Sequence, residues 1–328
     1  LPRQTPREPT GGGRPKMTLL MLLVGFAGLV LGGELLVRGA VAIALRFGLS
    51  QLMIGLTLVG FGTSTPELVT SLQAAFKGSP GIAVGNVVGS NICNVLLILG
   101  AAALLRPIVT RPDAFRRDGT VLLGATLLCV GVVLVGTIGR LAGGVLLALL
   151  IGYVIMTWLA ERGGNPSGAD ADVPLPAFRG IWGSVAFFIG GLLLTIFGAR
   201  LLVDAAIEIA ADLGVSEAVI GVTIVALGTS LPELMTSIIA AIKHQGDVAF
   251  GNIVGSNIFN IFGILGTTAI AQPLAVPLEI ARLDIWVMLA AALLLIWVTI
   301  TGWRITRGEG VLMLAGYGGY IGWLAATA

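Results

Sequence analysis

Residues 55–100 read GLTLVGFGTSTPELVTSLQAAFKGSPGIAVGNVVGSNICNVLLILG, and residues 221–266 read GVTIVALGTSLPELMTSIIAAIKHQGDVAFGNIVGSNIFNIFGILG. Set side by side at a constant offset of 166, without a gap, they agree at 26 of 46 positions. Each copy places one glutamate, Glu67 or Glu233, inside a stretch otherwise apolar enough to span a bilayer. A carboxylate there is expensive and marks a functional site by default. Two in equivalent positions point to one shared cation site.

The residues around each glutamate are of one chemical kind. In Gly62-Thr63-Ser64-Thr65-Pro66-Glu67 the proline lacks an N–H and interrupts the helix ladder, so a carbonyl at Gly62 is freed. In lipid such a group needs another partner. Thr63, Ser64 and Glu67 share a helical face at spacings of three and four. Gly60 lies just before them. The second copy supplies Ala226, Gly228, Thr229, Ser230, Pro232 and Glu233. Carboxylate, hydroxyl and carbonyl oxygens are hard ligands, suited to Ca²⁺ and Na⁺ rather than to zinc or copper. The next span adds Asn86, Ser90 and Asn94 at intervals of four, mirrored by Asn252, Ser256 and Asn260. Gly85 and Gly89, with Gly251 and Gly255, form small-residue seams for close helix approach. For Asn86, Asn91, Asn252 and Asn257, bonding across helices and ion binding are both open readings.

Working outward, the chain is 56% hydrophobic and 11% charged, with mean hydropathy +1.00. That composition excludes a soluble domain and indicates an all-α polytopic membrane protein. Ten candidate spans fall near 17–40, 50–76, 80–104, 118–138, 141–160, 180–206, 213–242, 248–271, 284–302 and 309–325. The repeat extends beyond its best-matched core: Gly48 meets Gly214, Pro107 meets Pro273, and Asp118 meets Asp284. The chain therefore divides into a disordered N-terminal extension (1–16), a first five-helix repeat (17–160), a polar linker (161–178) and a second repeat (179–328). Met17 reads as a native start. Five spans per half is an odd number, so the second half enters the membrane from the opposite side. Such inverted-topology repeats are a recurrent plan of secondary transporters.

Arginine and lysine are asymmetric between the two sets of loops. One set carries Arg46, Arg106, Arg111, Arg116, Arg117, Arg162, Arg179, Lys243, Arg304 and Arg307; the other carries Lys77, Arg140 and Arg282. The first set, and the linker with it, is expected in the cytoplasm of a plasma (inner) membrane protein whose termini both lie outside. Asp204, Glu208, Asp212 and Glu217 make one outside connection acidic, either as a solvated face or as a cation attractor. Glu34 and Arg38 are expected to form a helix ion pair, as are Arg200 and Asp204 with the signs reversed. His244 reads as a loop residue. Cys93 and Cys129 read as small packing residues, without a disulfide framework. No phosphate-binding loop motif supports ATP-driven pumping, and no cofactor or nucleic-acid partner is called for.

At these motifs the sequence resembles the cation/Ca²⁺ exchanger superfamily, in particular the prokaryotic Na⁺/Ca²⁺ exchangers. The G-T-S-x-P-E and G-N-x-x-G-S-N-I-x-N stretches are similar to its paired repeats, and the resemblance covers essentially residues 17–328. It implies ten helices in which helices 2, 3, 7 and 8 hold the cation sites while helices 1 and 6 slide across them. By matching position it implies Glu67 and Glu233 as central ligands, completed by Thr63, Ser64, Thr229, Ser230, Ser90, Ser256, Asn94 and Asn260. Backbone carbonyls near Gly60 and Ala226 join them. Asn260 stands where some relatives, among them the potassium-dependent exchangers, carry Asp. The expected activity is a K⁺-independent antiport of Na⁺ and Ca²⁺ by alternating access, carried out as a monomer and not as an enzyme. Two facing carboxylates repel unless neutralised, by one divalent cation, several Na⁺ or two protons. A Ca²⁺/H⁺ antiporter is therefore the alternative, and a cation channel a third reading.

Overall fold

The computed structural model describes residues 14–161, 180–212 and 226–327. Most of the expected N-terminal extension, nearly all of the linker and the first part of the seventh expected span, 213–225, lie outside them. The fold is helical: α1 (Arg14–Phe47), α2 (Gln51–Thr63), α3 (Thr65–Phe76), α4 (Pro80–Leu105), α5 (Pro112–Leu134) and α6 (Arg140–Glu161). Then follow α7 (Ile181–Asp212), α8 (Ala226–Thr229), α9 (Leu231–Ile242), α10 (Gly246–Ala271), α11 (Ile280–Ile300) and α12 (Arg307–Thr327).

Among the described residues seven helices are long and apolar enough to cross a membrane, and the bent pair α2–α3 makes an eighth span. The chain is a multi-pass membrane protein. The expected span 213–242 is described only from Ala226, as α8 and α9. The expected span 309–325 is a helix of 21 residues, α12, but it is not among the spans. Its run Gly316-Tyr317-Gly318-Gly319-Tyr320 dilutes its hydropathy.

Expected span 50–76 is not one straight rod. It breaks at Ser64, with a bend of 42° between α2 and α3. Pro66 causes this: in the first turn of α3 its missing N–H costs nothing, whereas further along a helix it would break the ladder. The second copy repeats the device, with Pro232 in the first turn of α9 after Ser230. Both 26-residue spans that follow, α4 and α10, carry a π-helical stretch at equivalent places, Cys93–Leu99 and Phe259–Leu265. A widened turn re-aims side chains and is frequent at functional sites.

Without water between helices, association rests on close packing and interhelical hydrogen bonds. Glycine supplies the closeness. α1 and α7 lie antiparallel with backbones touching: a Cβ on Gly191 would meet Leu36 N at 2.3 Å, and one on Gly198 would meet Gly25 O at 2.6 Å. α2 and α10 run parallel through the seam of Gly251 and Gly255, where added Cβ atoms would meet Leu52 O at 2.7 Å and Leu56 O at 2.1 Å. The repeat equivalents of Leu52 and Leu56, Ala218 and Val222, lie outside the described residues.

The halves are also tied at the membrane surfaces by two short antiparallel ribbons. β1 (Ile108–Val109) pairs with β4 (Arg304–Ile305), and β2 (Thr137–Ile138) pairs with β3 (Leu274–Ala275). β1 and β3 are repeat equivalents, as are β2 and β4, so each half's first strand pairs with the other half's second. Glu34 and Arg38 form the expected ion pair, and Lys243 at the end of α9 joins it, 2.7 Å from Glu34. The expected partner pair does not form: among the described residues no ion pair joins Arg200 to Asp204, and Arg200 lines a cavity against α3. His244 adopts a left-handed backbone (φ 66°) and its ring nitrogen lies 2.6 Å from the Arg106 guanidinium. Cys93 and Cys129 are free and buried.

The seam generates a direct test. Gly255→Ala pushes a methyl into the Leu56 carbonyl, a backbone atom that cannot swing aside. Overpacking of this kind should lower the unfolding midpoint in detergent by roughly 3–10 °C. Gly152→Ala, on an exposed helix position with nothing within 4 Å among the described residues, should leave it unchanged.

Candidate functional site

The two breaks bring the two glutamates to the centre of the bundle. Glu67 and Glu233 stand in the first turns of α3 and α9 and are each 1% exposed. Their hydrogen bonds cross between the halves and exchange partners. Ser64 Oγ donates to Glu233 Oε1 at 2.9 Å, and Ser230 Oγ donates to Glu67 Oε1 at 3.1 Å. Each serine is the break residue of its own half. The same proline-induced bend that interrupts the helix thus aims a hydroxyl at the opposite carboxylate.

The second oxygens are the informative ones. Glu67 Oε2 and Glu233 Oε2 are buried and, among the described residues, have no hydrogen-bond partner. A buried acceptor left without a donor costs a full desolvation penalty of about 1–3 kcal/mol, more when charged. Two such oxygens, one from each half, form a built place for positive charge. The surrounding oxygens are neutral. Thr63 is buried and its Oγ1 lies 3.0 Å from Val59 O and 3.1 Å from Asn252 Oδ1. Ser256 Oγ donates to Gly60 O at 3.1 Å. Among the described residues no group of three or more His, Cys, Asp or Glu side chains assembles, so the donor set is two carboxylates plus hydroxyls, amides and carbonyls. That is the chemistry of a hard cation.

The asparagines divide by role. Asn86 Nδ2 donates to the Glu67 backbone carbonyl (3.1 Å) and to Ser71 Oγ (2.9 Å). Asn252 Nδ2 does the same for Glu233 (3.4 Å) and Ser237 Oγ (2.8 Å). These two hold the glutamate-bearing turns in place. Asn91 Nδ2 bonds the Val87 carbonyl of its own helix. Asn94 Nδ2 donates to Asn257 Oδ1 at 3.0 Å, across the halves. Among the described residues Asn91 Oδ1, Asn94 Oδ1 and both side-chain polar atoms of Asn260 are buried without a partner. Ser90 is buried at 5% exposure. Thr229 is half-buried in α8, and Ala226 opens that helix. Ser71 and Ser237 were not singled out by sequence. Their signal was present, since Thr70-Ser71 and Thr236-Ser237 repeat one turn beyond each glutamate.

Fold and site together define a multi-pass membrane protein with a buried oxygen cage shared by two repeated halves. The sodium/calcium exchanger protein family model matches residues 17–159 and 183–326, and the chain belongs to that family. It is 36% identical to the sodium/calcium exchanger MaX1 of Methanosarcina acetivorans, over 92% of this chain and 96% of that one. It is 37% identical to the inner membrane protein YrbG of Escherichia coli, over 93% and 95%. Among solved structures it is similar to the sodium-calcium exchanger NCX_Mj soaked with Na⁺ and Sr²⁺, with a TM-score of 0.81 and 33% identity, over 94% and 98% of the two chains.

The supporting amides can be tested apart from ion binding. Asn252→Ala leaves Ser237 and the Glu233 carbonyl without their shared donor, and Asn86→Ala does the same in the other half. Each should cost about 1–3 kcal/mol. Thermal unfolding without added Ca²⁺ should show the larger loss for Asn252→Ala, because Asn252 is fully buried and its Oδ1 also accepts from Thr63 Oγ1.

Proposed function

We propose that this protein is a secondary antiporter that exchanges Na⁺ for Ca²⁺ by alternating access at one shared site. The observation that carries the reading is the pair of buried, unpartnered glutamate oxygens, one per half, ringed by neutral oxygens. One Ca²⁺ neutralises both carboxylates. Na⁺ ions, each needing fewer charges and more neutral donors, can replace it on the hydroxyls and carbonyls beside each glutamate. Glu67, Glu233, Thr63, Ser64, Thr229, Ser230, Ser90, Ser256, Asn94, Asn260 and the backbone at Gly60 and Ala226 are the proposed ligand set. Asn260 adds no charge, so K⁺ is not required. MaX1 and NCX_Mj, both named sodium/calcium exchangers, support the choice of ions.

Alternation follows from a ten-span plan in two inverted halves, 17–160 and 179–328 joined by the linker 161–178. The antiparallel run of α1 against its repeat equivalent α7 supports the inversion, as does the exchanged strand pairing. The protein works as a monomer, with both termini outside and the linker in the cytoplasm.

Two outcomes check this reading. Glu67→Gln or Glu233→Gln should abolish Ca²⁺ flux in proteoliposomes while leaving a folded protein, since the ion would keep an uncompensated charge in the cavity. Most of the flux surviving in both single variants would remove the shared site. A cysteine placed at residue 170 should react with an impermeant thiol reagent only after the cells are opened; labelling of intact cells would reverse the orientation.

A further inference from the structure

The repeat puts Glu34 of α1 and Arg200 of α7 at equivalent positions, and the structure treats them differently. Glu34 is bound by Arg38 and Lys243, and beside it the α1 backbone at Gly33 packs so closely on α9 that an added Cβ would lie 2.6 Å from Ile239 Cδ1. Arg200 instead lines a cavity of about 290 Å³ between α3 and α7. Pro66 and Val69 form one wall; Leu193, Ile196 and Phe197 form the other.

Leu193, Ile196, Phe197 and Arg200 follow the spacing of one helix face. Leu193 and Phe197 are 61% and 54% exposed within an apolar span, so that face meets lipid. The apolar span of α7 runs Ile181–Ile209, and Arg200 stands in its second half, beyond Leu193 and Phe197. The groove is thus apolar along most of its length and carries one guanidinium at the end nearer the C-terminus of α7, and a charge on a lipid-facing helix needs an anionic partner. Among the described residues Arg200 has no hydrogen bond or ion pair. A cation route would not be built around a fixed positive charge and apolar walls.

We propose that this groove seats an anionic membrane phospholipid, its acyl chain along Val69 and Phe197 and its phosphate on the Arg200 guanidinium. Arg200 suits this because a planar guanidinium grips phosphate oxygens two at a time. A lipid held there rests against Pro66, beside the ion-binding Glu67, so its occupancy bears on how α3 and α7 move past one another. The ligand assignment itself does not depend on which ions are carried.

The test is native mass spectrometry of the full chain in detergent, titrated with palmitoyl-oleoyl phosphatidylglycerol or with the phosphatidylcholine of the same chains. The wild type should retain the phosphatidylglycerol about fivefold better, as expected for one arginine facing one net negative charge. Arg200→Gln should erase that preference, and Arg140→Gln, an arginine outside the groove, should keep it. Val69→Trp, which fills the cavity and leaves Arg200 in place, should lower retention of both lipids. Equal retention of the two lipids by the wild type would overturn the proposal, as would an undiminished preference in Arg200→Gln. Should Arg200→Gln not fold, Val69→Trp decides: undiminished lipid retention there would overturn it too.

Discussion

The constraint on which the rest of the structure depends is the burial of two carboxylates at the centre of a bilayer-spanning bundle. Neither Glu67 nor Glu233 can be tolerated there with only apolar neighbours. Each receives one hydroxyl from the opposite half and keeps one oxygen open. The breaks at Ser64 and Ser230 exist to deliver those hydroxyls. The asparagines of α4 and α10 fix the turns that carry the glutamates. The glycine seams let those helices come close enough to do so. A cage built by exchange between two copies depends on both halves at once.

Much of this was legible in the sequence because it was written twice. A glutamate after Ser-x-Pro, repeated at a fixed offset in an apolar chain, left few readings of Glu67 and Glu233. Pro66 announced the bend, since its effect on a helix is local. Glu34 and Arg38 were likewise legible as neighbours one turn apart. What escaped were contacts set by tertiary packing. Lys243 reaches Glu34 from another helix, and no local spacing encodes that. The same rule that worked for Glu34 failed for Arg200, which turns toward a cavity instead of Asp204. Buried Asp118 was visible as a repeated residue, but its contacts with neighbouring Arg117 and with Tyr153 on another helix appear only in three dimensions. Its counterpart Asp284 accepts a hydrogen bond from Tyr320 at 2.9 Å. In each half an acidic residue on one long helix is thus paired with a tyrosine on the next.

The departures from symmetry are as telling as the symmetry. Asn94 bridges to Asn257, whereas the equivalent bridge from Asn260 to Asn91 is not made: Asn91 bonds within its own helix and Asn260 keeps both polar atoms free. A strictly two-fold cage would present identical pockets on either side of the glutamates. Here Asn260 keeps both side-chain polar atoms without a partner among the described residues, whereas Asn91 and Asn94 each keep only Oδ1.

The central claim is that this cage exchanges Na⁺ for Ca²⁺. The most direct test is uptake of radiolabelled Ca²⁺ into proteoliposomes of the purified protein, with a Na⁺ gradient and a pH gradient imposed separately and K⁺ absent. The account predicts uptake driven by outward Na⁺ alone, and none above background with the pH gradient alone. Uptake that follows the pH gradient and ignores Na⁺ would contradict it, and would make the same two glutamates proton carriers.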